Sequence, residues 1–148
     1  MDRHIKCQID QYYEIWFGIN DVYETWAKGC GLNVNSLFVL YLIREHQGSC
    51  TLRLICDKLL LAKQTVNTIV DGFENRGYVC RVRDQEDKRN KRILLTEEGK
   101  TFADEILTRL SAFEEQGFLQ LERSQREALL ESSQLLLNAL KAALQEKK

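Results

Sequence analysis

The sequence changes its period after residue 77, and that change constrains the fold more than any other feature. Before it, apolar residues recur at helical steps. After it, Tyr78-Val79-Cys80-Arg81-Val82 alternates and is rich in strand formers, and Arg92-Ile93-Leu94-Leu95 does the same. The nine residues between them, Arg83 to Lys91, are all polar or charged. Two alternating segments around a charged connection predict a β-hairpin with a long tip.

Helical spacing accounts for the rest. Tyr12, Trp16, Ile19, Tyr23 and Trp26 lie on one face of a long amphipathic helix over about 3–28, which Gly29-Cys30-Gly31 ends. Asn33 or Asn35 can cap a second helix to about His46. Gln47-Gly48-Ser49 is a turn, and Cys50-Thr51 suits a one-bridge strand. Thr51 then caps a short third helix whose buried stripe is Leu52, Ile55 and Leu59. A break at Leu60-Leu61-Ala62 leads into a fourth helix, about Lys63 to Asn75. Its apolar face is Val66, Ile69, Val70 and Phe73, with Gln64, Thr68, Asp71 and Asn75 opposite and Asn67 on the flank. After the hairpin, Thr96 caps a helix with Glu97 and Glu98 in its first turn, the favoured sign at that end. Phe102, Ile106, Leu110 and Phe113 form its stripe, and Gly117 breaks it. Ser124 opens a last helix with the seam Leu129, Leu136, Leu140 and Leu144.

The expected order is therefore ααααββαα: a mainly α fold with a small β-hairpin wing. Two short helices at a tight turn followed by a charged hairpin form a winged helix-turn-helix, whose second short helix lies in the DNA major groove. Charge agrees. The 148 residues hold 21 Lys and Arg against 22 Asp and Glu, a net charge of −1, which excludes a protein that coats nucleic acid over its whole surface. Yet residues 76–92 carry seven basic side chains (Arg76, Arg81, Arg83, Lys88, Arg89, Lys91, Arg92) and three acidic ones (Asp84, Glu86, Asp87), so a third of the positive charge sits in and beside the hairpin. A duplex-binding wing needs it there.

Other classes find no support. The sequence has no Gly-rich phosphate loop, no His-carboxylate cluster and no nucleophile motif, so no enzyme and no cofactor are expected. His4 and His46 are far apart and the five cysteines are scattered, which gives no zinc-ligand spacing. No run approaches a membrane span, and the charged N-terminus does not resemble a signal peptide. Unpaired cysteine spacing suggests a reduced, cytoplasmic protein.

The run Asp87-Lys88-Arg89-Asn90-Lys91-Arg92-Ile93-Leu94-Leu95-Thr96-Glu97-Glu98-Gly99-Lys100 resembles the wing signature D-x-R-x-x-x-[VI]-x-L-T-x-x-G of the MarR family of bacterial transcriptional regulators. Thr65-Val66-Asn67-Thr68-Ile69-Val70-Asp71 and Glu74-Asn75-Arg76-Gly77-Tyr78-Val79 resemble that family's recognition helix and its turn into the wing. The resemblance covers nearly the whole chain. It implies one winged helix-turn-helix domain over 1–148, with 33–96 binding DNA and the long terminal helices over 3–32 and 97–148 intertwining in a homodimer. It further implies a ligand-responsive repressor on a pseudo-palindromic operator. One departure is that no Ser, Thr, Asp or Asn stands at the N-cap of the recognition helix.

On this resemblance the DNA-binding candidates are Lys63, Gln64, Thr65, Asn67, Thr68, Arg76, Arg81, Asp87, Lys88, Arg89 and Lys91. Arg89 sits at the wing tip, where an Arg can enter a narrow minor groove. Asp87 pairs with an Arg and holds the tip's shape. Gln64, Asn67 and Thr68 are the base readers: Asn and Gln can grip adenine with both amide atoms, and the Thr methyl can touch the thymine methyl. Lys63, Arg76, Arg81 and Lys91 are phosphate contacts.

Two questions stay open. The stripe on the first helix is either dimer core or part of a crevice in which Tyr13, Trp16, Phe38 and Tyr41 hold a small aromatic effector. The alternative functions are a winged module that docks protein, against which the basic wing argues, and an oxidant sensor using Cys80 or Cys7.

Overall fold

The computed structural model describes residues 1–83, 86 and 89–146. Its elements follow the expected order: α1 (Arg3–Gly29), α2 (Val34–Glu45), α3 (Leu52–Leu59), α4 (Lys63–Asn75), β1 (Val79–Arg83), β2 (Lys91–Leu95), α5 (Glu97–Phe118) and α6 (Arg123–Gln145). The chain divides into two compact units, Met1–Leu107 and Thr108–Lys148. No helix among the described residues is long and apolar enough to cross a membrane.

Local chemistry sets the boundaries in the first unit. Asn33 caps α2, its Oδ1 accepting from the Ser36 N–H at 2.8 Å, and Thr51 caps α3, its Oγ1 accepting from the Leu54 N–H at 3.1 Å. α4 ends in a Schellman turn. The Tyr78 N–H donates to the Phe73 carbonyl at 2.9 Å and the Gly77 N–H to Glu74 at 3.0 Å, with Gly77 at φ +78°.

α2 is the centre of this unit. Its Leu37, Val39, Leu40, Leu42 and Ile43 are buried, together with Ile55 of α3, Val66, Val70 and Phe73 of α4, and Ile93 and Leu95 of β2. α4 packs against α2, α3 and β1. The hairpin is antiparallel, from Val79 opposite Leu95 to Arg83 opposite Lys91, and Thr51 adds a single bridge to Arg92.

Four expectations are corrected. Only Ile55 of the α3 stripe is fully buried, while Leu52 and Leu59 are half-exposed. β1 begins one residue later, and both strands reach one residue further into the polar stretch, leaving seven residues between them instead of nine. The reason is that Tyr78 is taken by the α4 turn, its ring stacking on Phe102 at 4.2 Å, while Arg83 and Lys91 extend the ladder. Gly117 lies inside α5, which ends one residue later. α6 begins at Arg123 under a capping box of Glu122 and Gln125, whose Oε1 accepts the Glu122 N–H at 2.8 Å, so Ser124 is already helical.

Candidate nucleic-acid interface

Burying Val66, Val70 and Phe73 turns the opposite row of α4 to solvent. Lys63, Gln64, Thr65 and Thr68 are exposed and Asn67 is half-buried on the flank. The Thr68 hydroxyl donates to the Gln64 carbonyl at 3.0 Å, which orients its methyl. Ala62 provides no side-chain cap to α4. The absent cap noticed in the sequence thus leaves the first backbone N–H groups of α4 without a side-chain acceptor, and such groups suit a phosphate.

The basic side chains divide into two groups. Arg83, Arg89 and Lys91 are exposed on the hairpin. Asp87 and Lys88, expected as wing residues, lie outside the described residues. Arg81, expected as a phosphate contact, is held by partners within the protein. Its side chain is only 18% exposed, and its guanidinium meets Asp71 at 2.8 Å, Glu74 at 3.1 Å and Asn67 Oδ1 at 3.3 Å. A planar fork with several donors suits this three-way grip. Arg76 stays exposed, lying 4.9 Å above the Tyr78 ring and 5.4 Å from that of Phe102. Arg92 donates to the Gly48 carbonyl at 3.2 Å and so ties β2 to the turn after α2.

Asp71 and Glu74, the carboxylates that hold Arg81, were not among the residues expected in the site. The signal was present: Asn67, Asp71 and Glu74 are spaced i, i+4, i+7, a single acidic-polar stripe facing a basic strand. Beside this stripe a cleft of about 340 Å³ is lined by Leu52, Asn67, Asp71, Arg81, Lys91 and Ile93.

The effector candidates fall in two places. Tyr13 and Trp16 stack with Phe17 on α1, at 5.9 Å each, whereas Phe38 packs on Tyr23 at 5.7 Å. Tyr13 lies ten residues before Tyr23, roughly 15 Å along the helix. One small aromatic ring does not reach from the level of Tyr13 on α1 to the Tyr23–Phe38 pair. The first-helix stripe is not the core of a protomer either: Tyr12, Trp16 and Ile19 are exposed.

All five cysteines are free. Cys7 and Cys80 are exposed; Cys50 is buried, and burial pushes its thiol from 9.0 up to about 11.

Comparison with known proteins agrees with this geometry. A family model described as MarR family matches residues 31–90, from the start of α2 to the hairpin tip. The HTH-type transcriptional regulator SarZ of Staphylococcus epidermidis is 30% identical over 78 residues, covering 53% of this chain and 52% of that protein. SarZ of Staphylococcus haemolyticus is 30% identical over 105 residues, covering 71% and 68%. The chain thus spans about half the length of the first relative and just over two thirds of the second. Among solved structures, the MarR family regulator NMB1585 from Neisseria meningitidis is 25% identical with a TM-score of 0.81, over 95% of this chain and 99% of that one. CouR from Rhodococcus jostii RHA1, solved with p-coumaroyl-CoA bound, is 26% identical with a TM-score of 0.70, over 84% and 87%. The fold, the matched family model and a relative similar over most of both lengths agree: the chain belongs to the MarR family.

Proposed function

We propose that this protein is a sequence-specific, double-stranded DNA-binding transcriptional regulator, a cytoplasmic repressor that acts as a homodimer and answers to a small ligand. The observation that carries the reading is the pairing of a polar, solvent-facing row on α4 with exposed Arg83, Arg89 and Lys91 on the adjoining hairpin. α4 enters a major groove, where Gln64, Asn67 and Thr68 read bases with Thr65 beside them. Lys63, Lys91 and, beyond its aromatic stack, Arg76 meet phosphates. Arg89 enters the flanking minor groove, with Asp87 and Lys88 completing the wing.

Residues 33–96 carry DNA binding and the terminal helices carry dimerisation. Supporting this, α1 exposes Tyr12, Trp16, Phe17 and Ile19, and α6 exposes Leu129, Leu136, Leu140 and Leu144, more apolar surface than a monomer normally leaves in water. The CouR complex supports an acyl-aromatic class of effector. It would sit against the Tyr13–Trp16 cluster or the Phe38–Tyr41 face and alter the spacing of the two DNA-binding regions. Oxidant sensing is not the favoured alternative: Cys80 is exposed on β1, and exposure by itself does not make a thiol reactive. A protein-docking module needs no basic wing.

Selection of bound fragments from genomic DNA, followed by footprinting, tests the reading. The expected site is an inverted repeat with half-sites about one helical turn, roughly 10 bp, apart and A·T-rich flanks. A direct repeat, or full affinity of one protomer for one half-site, overturns it.

A further inference from the structure

The Arg81 tie has a consequence for base readout. Its three partners lie along α4 from Asn67 to Glu74, so the guanidinium braces roughly 10 Å of that helix against β1. Two of the partners are carboxylates: Glu74 holds Nη1, and Asp71 holds Nη2, the nitrogen that also faces the Asn67 amide. The third bond then fixes the amide itself. Arginine has no acceptor, so the atom facing it has to be the oxygen, as observed with Oδ1 at 3.3 Å. Nδ2 is therefore turned away from Arg81. A two-atom grip on adenine needs the oxygen and the nitrogen of the amide to face the same base edge. Oδ1 points at the Arg81 guanidinium and shares its lone pairs with it, so Nδ2 is the amide group left wholly to the DNA.

We infer that Arg81 is a positioning residue for specificity. From β1 it locks the Asn67 amide so that Nδ2 alone donates to the DNA, and Asn67 selects a base edge that presents an acceptor. Guanine N7 and O6, adenine N7 and thymine O4 meet that requirement; the cytosine amino group does not. The inference rests on the proposed placement of α4 in a major groove, and it widens the adenine grip expected from the residue type alone to any edge that presents an acceptor.

The test compares four proteins on the selected operator and on its single-base variants: wild type, Arg81→Lys, Asn67→Ala and the double variant. Lysine keeps a cation for Asp71 or Glu74 but lacks the fork that reaches all three partners. Wild type should discriminate against a cytosine edge at one half-site position by roughly three- to tenfold, the worth of one net hydrogen bond. Arg81→Lys should lose that discrimination at that position alone, with unchanged affinity for random-sequence DNA and only the small fall in melting temperature that the lost bonds imply. In the Asn67→Ala background it should have no further effect on discrimination.

Undiminished discrimination by Arg81→Lys, or a loss that recurs in full in the Asn67→Ala background, overturns the inference while the DNA-binding function stands. A uniform loss of affinity on every sequence, with a large fall in melting temperature, also overturns it, because it marks Arg81 as structural only. Wild type with no sequence preference removes the proposed function and the inference together.

Discussion

Replacing Gly99 by alanine should destabilise the protein strongly, although alanine is the better helix former. Gly99 is in the first turn of α5, and a Cβ built on it would stand 1.8 Å from the Tyr78 carbonyl oxygen and 2.7 Å from its carbon. Ordinary contact needs about 3.5 Å, so the backbone on one side must retreat by roughly 1.5 Å. It is not free to do so. The Thr96 hydroxyl donates to the Gly77 carbonyl at 2.6 Å, the Thr96 N–H to Tyr78 at 3.0 Å, and the Gly99 N–H to Thr96 Oγ1 at 3.0 Å. Overpacking costs about 1–3 kcal/mol, and each junction bond stretched in relieving it costs about 1 kcal/mol more. The gain of alanine over glycine in a helix offsets about 1 kcal/mol. The net loss is then about 2–4 kcal/mol, a large share of the ~5–15 kcal/mol typical of a domain. Gly72, in α4, is the control: nothing lies within 4 Å of its added Cβ. There the same substitution should stabilise by about 0.5–1 kcal/mol. Urea unfolding at one fixed protein concentration measures both. A Gly99→Ala protein within about 0.5 kcal/mol of wild type would refute the close-approach reasoning.

Arg89→Ala should weaken operator binding by about 1–3 kcal/mol and relax the flanking A·T preference, whereas Lys91→Ala should weaken all sequences alike and lower the salt slope by about one; titrations at several salt concentrations separate the two. Trp16→Glu should dissociate the proposed dimer by placing a charge on the exposed apolar face of α1, with helicity kept, and sedimentation checks this. The buried Cys50 thiol is stabilised in its neutral form. Its contribution is complete below its unfolded value of 9.0 and is lost as pH rises through about 11, an effect of order 2–3 kcal/mol. Cys50→Ala should therefore show a shallower fall in stability than wild type between those values, and equal slopes would contradict the burial argument.

Most of the architecture was legible from sequence because its determinants are local. A helix period needs only residues three and four apart, a cap only residues within a turn, and a hairpin only alternation around a polar connection. Asn33, Thr51, Gly77 and Thr96 each act on backbone groups within a few residues or at one turn, and they stand where the sequence placed them. The bounds of α4 and the missing cap at Ala62 were readable for the same reason. The candidate site was legible as a region rather than residue by residue.

Sequence alone determined that seven basic side chains gather at a hairpin following a short amphipathic helix. Tertiary structure decided which of them face outward. Arg81 reaches back across 14 residues to Asn67 and Arg92 across 44 to Gly48, whereas Arg76 stays exposed above the Tyr78 ring. Composition counts these cations as equivalent to Arg83, Arg89 and Lys91. The packing of α4 against β1, which brings two carboxylates within reach of one guanidinium, sets Arg81 apart, and the turn after α2 does the same for Arg92. The physical reason is range: a charged group's partner is chosen by distance in space, and that distance is set by burial of the apolar faces behind it.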